Sequence, residues 1–145
     1  MRVSTRGTYG LKAMVELGLR YGQGPVLLRQ IASSQGLPAD YLEQLMAPLR
    51  RAGLLTSVRG VRGGYFLARP PEKITAKEIV DALEGDFVAS QPGPRQSGTA
   101  QSSAVSEFWQ QVKATVDEAL QSTTLADLCL RQKEKDKRFL PTYAI

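Results

Sequence analysis

The 145-residue chain has no histidine and a single cysteine, Cys129. Without histidine, the common zinc, haem and serine-histidine sites lose an essential residue type, and one cysteine cannot form an internal disulfide framework. Most metal and hydrolase chemistry is therefore excluded. Long apolar runs are also missing: the longest, Tyr65 to Ala68, has four residues, far short of the roughly 20 needed to span a bilayer. No signal-peptide pattern opens the chain. The expectation is a soluble cytoplasmic protein that makes no use of the membrane. The composition, 42% hydrophobic and 23% charged, suits one globular unit with a small helical appendage.

What is present is charge, unevenly placed. Residues 1 to 69 carry ten Lys/Arg against Glu16, Asp40 and Glu43, a net of +7, whereas residues 70 to 145 carry nine against eleven, a net of −2. A basic field confined to one half fits a polyanion such as nucleic acid better than it fits a uniformly solvated surface.

Helical spacing of Leu11, Met14, Val15 and Leu19 predicts an amphipathic helix over Thr8 to Tyr21, with Lys12, Glu16 and Arg20 as a polar stripe able to pair along it. A short helix follows from Leu27 to Ser34, stopped by Gly36. Another runs from Pro38, acceptable at a first helical position, to about Ala47. Pro48 is read as opening a separate short helix to Ala52, because an interior proline loses a hydrogen bond and clashes with the preceding turn. Two strand-like runs, Leu54 to Val58 and Tyr65 to Ala68, flank Arg59-Gly60-Val61-Arg62-Gly63-Gly64, whose glycines suit a hairpin loop with a basic tip. Because this loop joins strand to strand and lacks a Gly-Lys-Ser/Thr ending, a phosphate-cradling reading is weak. Thr75 to Glu78 has capping-box spacing and Ile74 with Ile79 staple spacing, predicting a helix to Glu84. Ser90 to Ala104, rich in Ser, Gln, Gly and Pro, reads as a mobile loop. From Val105 a long helix with an apolar stripe resumes, followed by a short helix over Thr124 to Leu130 and a charged, flexible stem, Arg131 to Arg138.

The expected fold is mostly α with a small β-hairpin wing: a winged helix-turn-helix over residues 1–85, a flexible effector loop over 86–104, a dimerisation helix and short helix over 105–130, and a charged tail over 131–145. Within Leu28 to Ala47 the helix-turn-helix spacing is met by small Ala32 at the helix contact, Gly36 at the turn, and Leu37, Leu42 and Leu45 facing inward. Tyr41, Glu43 and Gln44 then face outward at the start of the second helix. Gln can pair bidentately with adenine and Glu can accept from the cytosine amino group, while Arg29, Arg50 and Arg51 suit phosphates and Arg59 and Arg62 suit a narrow minor groove. The plain alternative is an exposed face that touches nothing. Phe108, Trp109, Val112, Val116 and Leu120 form the stripe of the long helix, which either a second subunit or the chain's own head can cover. Glu78, Asp81 and Glu84, at i, i+3 and i+6, read as a solvated face. Cys129, between Leu128 and Leu130, reads as a small buried hydrophobe, with a thiol redox switch as the alternative. A module that only docks acidic protein partners is the competing functional class.

Eight motifs in order, Tyr9-Gly-Leu-Lys-Ala, Gln30-Ile-Ala, Tyr41-Leu-Glu-Gln-Leu, Ala47-Pro-Leu-Arg-Arg-Ala-Gly-Leu-Leu, Ser57-Val-Arg-Gly-Val-Arg-Gly-Gly-Tyr, Leu67-Ala-Arg-Pro-Pro, Ala82-Leu-Glu-Gly and Thr123-Thr-Leu-Ala-Asp-Leu, resemble the IscR/NsrR/CymR family (Rrf-type) of bacterial winged-helix transcriptional regulators. The resemblance spans Met1 to about Leu128. It implies a homodimer held by the long helix, Tyr41, Glu43 and Gln44 in the major groove of a palindromic operator in double-stranded DNA, and Arg59 in the minor groove. Cluster-binding members carry three loop cysteines and a first-helix ligand; here Pro92 to Ala104 has no cysteine and Thr8 and Lys12 occupy the first-helix positions, so no cofactor is expected. Pro38 stands where many members have serine. The resemblance is closest in kind to the cysteine-metabolism repressor, which is controlled by cysteine synthase. The ending Tyr143-Ala144-Ile145 is similar to the tail with which serine acetyltransferases enter that enzyme, which makes Tyr143 and Ile145 partner-binding candidates, against the alternative of an ordinary frayed terminus.

Overall fold

The computed structural model describes residues 4–85 and 103–139, with backbone only at 138 and 139. Helix α1 (Thr5–Leu19) starts three residues earlier than the spacing predicts, because Ser4 caps it by accepting from the Gly7 N–H. Helices α2 (Leu28–Gln35) and α3 (Ala39–Arg51) follow. Gly36 turns the corner between them in the left-handed region at φ 64°, a conformation that costs glycine little. The Leu37 N–H reaches the Ala32 carbonyl at 2.8 Å, and both residues are buried.

Pro48 does not open a new helix. It lies inside α3, where the buried series Leu42, Leu45, Met46 and Leu49 continues through it. Packing along that face outweighs one missing bond to the exposed Gln44 carbonyl. Pro48→Ala restores that donor and is expected to stabilise the fold by about 1–3 kcal/mol, read as a higher thermal midpoint. A lower midpoint would mean the proline's shape is itself required.

Strands β1 (Leu55–Val58) and β2 (Gly64–Leu67) form an antiparallel hairpin with Leu55 opposite Leu67. A one-turn 3-10 segment, Pro71–Lys73, leads to α4 (Ala76–Glu84), N-capped by the Thr75 hydroxyl accepting from the Glu78 N–H at 3.1 Å. The expected capping box is half formed, since the Glu78 carboxylate pairs with Arg69. The carboxylates on α4 are fasteners and not a solvated face. Asp81 binds Lys77 at 3.0 Å, and Glu84 accepts from Ser4 and from the Gly7 N–H. Lys77 also reaches Asp117 at 2.7 Å, and bonding to the two carboxylates holds its pKa above the ordinary lysine value.

Helix α5 (Ala104–Ser122) is capped by Ser103, so the structured region begins inside the segment expected to be mobile; the remainder of that expectation, 86–102, lies outside the described residues. The final helix, α6 (Leu125–Phe139), runs through the stretch read as a flexible stem. Lys, Arg, Glu and Gln lose little rotamer freedom in a helix, and Gln132 bonds Asp136 one turn on. One core joins α1 to α4 with the hairpin, and α6 is sealed to it by Leu125 and Cys129.

Candidate nucleic-acid interface

The geometry of the head starts from a buried charge. Glu16 is only 7% exposed and pairs along α1 with Arg20, as the polar stripe allows. Its carboxylate accepts from Arg20 Nε at 2.6 Å and from Gln35 Nε2 at 3.0 Å, which ties α1 to the end of α2. A buried carboxylate needs such partners to offset its lost hydration. Arg20 also donates to Ser34 Oγ at 3.2 Å, so two bonds hold the end of α2 to α1.

On α3, Glu43 and Gln44 are exposed side by side while Leu42 and Leu45 are buried beneath them. Tyr41 behaves differently from its expected outward role. It is half-buried and meets Tyr9 of α1 edge-on, with ring centroids 5.7 Å apart at 81°, and Lys12 Nζ lies 5.9 Å from the Tyr9 ring centre. Position 41 is one helical step from Leu42, at the border of the apolar face, where a large ring gains more by packing than by facing water. Tyr9 and Lys12 were not singled out as site residues; helical spacing alone cannot show an aromatic contact between residues 32 positions apart.

Arg50 donates to Ser57 Oγ of β1 at 3.1 Å, linking α3 to the wing; Ser57 carried no signal beyond its motif. Arg51, Arg59 and Arg62 are exposed, the latter two at the hairpin tip around Val61. Gly60 supports that tip at φ 110°. Gly63 is buried against the tip's own backbone, where an added Cβ would lie 2.2 Å from the Val58 carbonyl oxygen. Arg29 is exposed on α2 beside Gln30 and Ser33, around an open recess of about 300 Å³. The described head therefore presents exposed Glu43 and Gln44 on α3 together with exposed arginines on α2, α3 and the wing.

The stripe of α5 divides. Val116 and Leu120 are half-buried against Val80 of α4 and Leu11 of α1, so the chain's own head receives that end. Val112 is half-buried, while Phe108 and Trp109 remain 56% and 43% exposed. Cys129 is buried, and its thiol donates to the Val15 carbonyl at 3.6 Å. Burial raises its pKa, which keeps it a poor nucleophile and favours the packing reading. Tyr143 and Ile145 lie outside the described residues.

The sequence profile of Rrf2, described as an iron-dependent transcriptional regulator, matches residues 3–131. The chain belongs to the Rrf2 family. CymR of Bacillus subtilis (strain 168), an HTH-type transcriptional regulator, is 44% identical over 128 residues, covering 88% of this chain and 89% of that protein. IscR of Cereibacter sphaeroides is 39% identical over 134 residues, covering 88% and 86%. Among solved structures, that of B. subtilis CymR, titled the global cysteine regulator, superposes with a TM-score of 0.79 at 42% identity, covering 90% of this chain and 98% of that one. IscR of T. potens gives 0.78 at 44% identity, covering 93% and 90%. The protein is thus a bacterial-type, DNA-binding, winged-helix transcriptional regulator, and not an enzyme. No helix among the described residues is long and apolar enough to cross a membrane.

The profile's description raises iron, and the donor set does not fit a cluster. An iron-sulfur cluster is held by several thiolates, whereas this chain has one cysteine, buried and bonded to a carbonyl. Thr8 and Lys12 offer a hydroxyl and an ammonium. Among the described residues no three His, Cys, Asp or Glu side chains converge as metal ligands.

Proposed function

We propose that this Rrf2 regulator acts as a homodimeric repressor that reads a palindromic operator without an iron-sulfur cluster, and that it controls genes of cysteine or sulfur metabolism. The observation that carries the readout is the exposed pair Glu43 and Gln44, seated on a helix whose opposite residues Leu42, Leu45, Met46 and Leu49 are buried. Rigid seating matters because base-edge hydrogen bonds need a fixed register. Similarity to a protein titled a global cysteine regulator supports the metabolic assignment, and the single buried thiol supports the cluster-free one.

A second copy suits the exposed apolar end of α5, Val105, Phe108 and Trp109, with Leu130 of α6. Uncovered rings of that size in a regulator of two-fold DNA sites are best buried by a symmetric partner. In this division residues 1–85 are the DNA-binding head, 86–104 the effector loop, 105–130 the dimerising segment and 131–145 the tail.

Gln44→Ala is expected to cost roughly 1–3 kcal/mol on the specific site and to relax preference at one base pair. Arg51→Ala should weaken specific and random duplexes alike and flatten the salt dependence. Mobility-shift titrations on both duplexes distinguish the two behaviours; equal loss on both for Gln44→Ala contradicts the readout role. For the tail, we expect Tyr143 and Ile145 to engage a cysteine synthase, so deleting 143–145 abolishes co-purification with that enzyme. Undiminished co-purification sinks this part.

A further inference from the structure

A cavity of about 410 Å³ opens where the end of α1, the α1–α2 loop and β2 meet. Its base is apolar, formed by the buried Leu17, Val26 and Leu67, and Tyr21 and Phe66 enclose it. One charged side chain, Arg20, lines it. The volume lies in the range of small-ligand sites, where an apolar lining with few polar groups is usual.

The backbone at its base is informative. The Ala68 N–H bonds the Leu54 carbonyl at 3.0 Å, and Tyr65 exchanges two bonds with Val26, 2.8 and 2.9 Å long. By the alternation of an antiparallel ladder, Leu67 therefore turns its N–H and C=O away from β1, toward Gly24 and Pro25. The ladder stops there. Gly24 is held at φ 87° and Pro25 has no N–H, and outside the hairpin no backbone bond to either polar group of Leu67 is made among the described residues. Leu67 is only 4% exposed, and backbone groups that face the cavity without a protein partner are free to bond an occupant. Arg20 spends Nε on Glu16 and Nη2 on Ser34, and its Nη1 makes no bond among the described residues.

We infer that this cavity is a binding site for a small monocarboxylate with an apolar side chain and an adjacent N–H, the chemistry of an apolar α-amino acid or its N-acyl derivative. The ligand N–H donates to the Leu67 carbonyl, a ligand oxygen accepts from the Leu67 N–H, the carboxylate faces Arg20, and the side chain fills the space over Leu17 and Val26. Because the cavity joins the α1–α2 loop to the strand carrying the wing, its occupancy sets how the wing sits beside α2.

The test is titration of the full-length isotopically labelled protein with N-acetyl-leucine, followed through the backbone amide signals. Saturable shifts centred on Gly24 and Leu67 are expected, with N-acetyl-leucinamide, which lacks the carboxylate, and N-acetylglycine, which lacks the side chain, each about tenfold weaker or more. Tyr21→Ala, at a half-exposed position, should weaken N-acetyl-leucine by a similar factor. Absence of saturable shifts up to concentrations on the order of 10 mM, shifts centred elsewhere, or equal affinity for all three probes would overturn the inference, whatever the outcome on DNA.

Discussion

Leu45→Ala is expected to remove about 2–5 kcal/mol of stability, a large loss for a single change in the head. Leu45 is fully buried on α3 and belongs to the cluster that joins α1, α2, α3 and the hairpin. Its truncation leaves a void that surrounding helices can fill only partly, and the cost is large against a typical total stability of about 5–15 kcal/mol. Chemical denaturation should show a lower midpoint with an unchanged slope. Loss of less than about 1 kcal/mol would mean that α3 is not seated on this core. DNA binding falls with it, because Glu43 and Gln44 ride on the same helix.

The second large effect belongs to the wing. Replacing Arg59 and Arg62 together with alanine should lower affinity for the specific operator at least roughly 30-fold, about 2 kcal/mol or more, and should reduce the salt slope by one to two. Both arginines are exposed at the tip and contribute nothing to the buried core, so thermal stability should stay within about 0.5 kcal/mol of the parent. This pairing of a strong binding defect with an intact fold separates a DNA contact from a structural one. Unchanged affinity and slope would show that the wing does not touch the duplex.

The parts of the fold legible in the sequence are those set by local physics. Gly36 with Ala32 announces the helix turn, Thr75 the start of α4, and the glycines around Arg62 the hairpin. What was not legible depends on contacts between distant positions. Ser4 and Glu84 are 80 residues apart, yet their contact, with the Gly7 N–H also donating to Glu84, ties the start of α1 to the end of α4. Glu16 pairs with Arg20 along the helix as its spacing allows, but its bond to Gln35 of α2 lies beyond helical spacing. Tyr41 was placed outward by helical spacing, and its edge contact with Tyr9 turned it partly inward. Pro48 obeyed the general rule against interior prolines only in isolation; burial of Leu45, Met46 and Leu49 around it decided otherwise. At the candidate interface, the exposed placement of Glu43, Gln44 and the wing arginines follows from type and position, whereas the Arg50 to Ser57 bond that links helix to wing does not.

Charge shows the same dependence on place. A total of +5 is unremarkable for 145 residues, but a +7 amino-terminal half beside a −2 remainder puts the excess on the elements proposed to meet DNA. If the regulator works without a cluster, as proposed, its one buried thiol leaves any signal to arrive by means other than cluster chemistry. The cavity beside β2 and the carboxyl-terminal tail are two separate places where such a signal can enter.

The central claim, sequence-specific operator binding by a symmetric dimer, is tested most directly by selecting duplexes from a random library with the purified full-length protein and competing the selected site against random DNA. An imperfect palindrome is predicted, with half-sites one or more helical turns apart and random duplex a far weaker competitor. Recovery of no common sequence, with random duplex competing equally well, would contradict it.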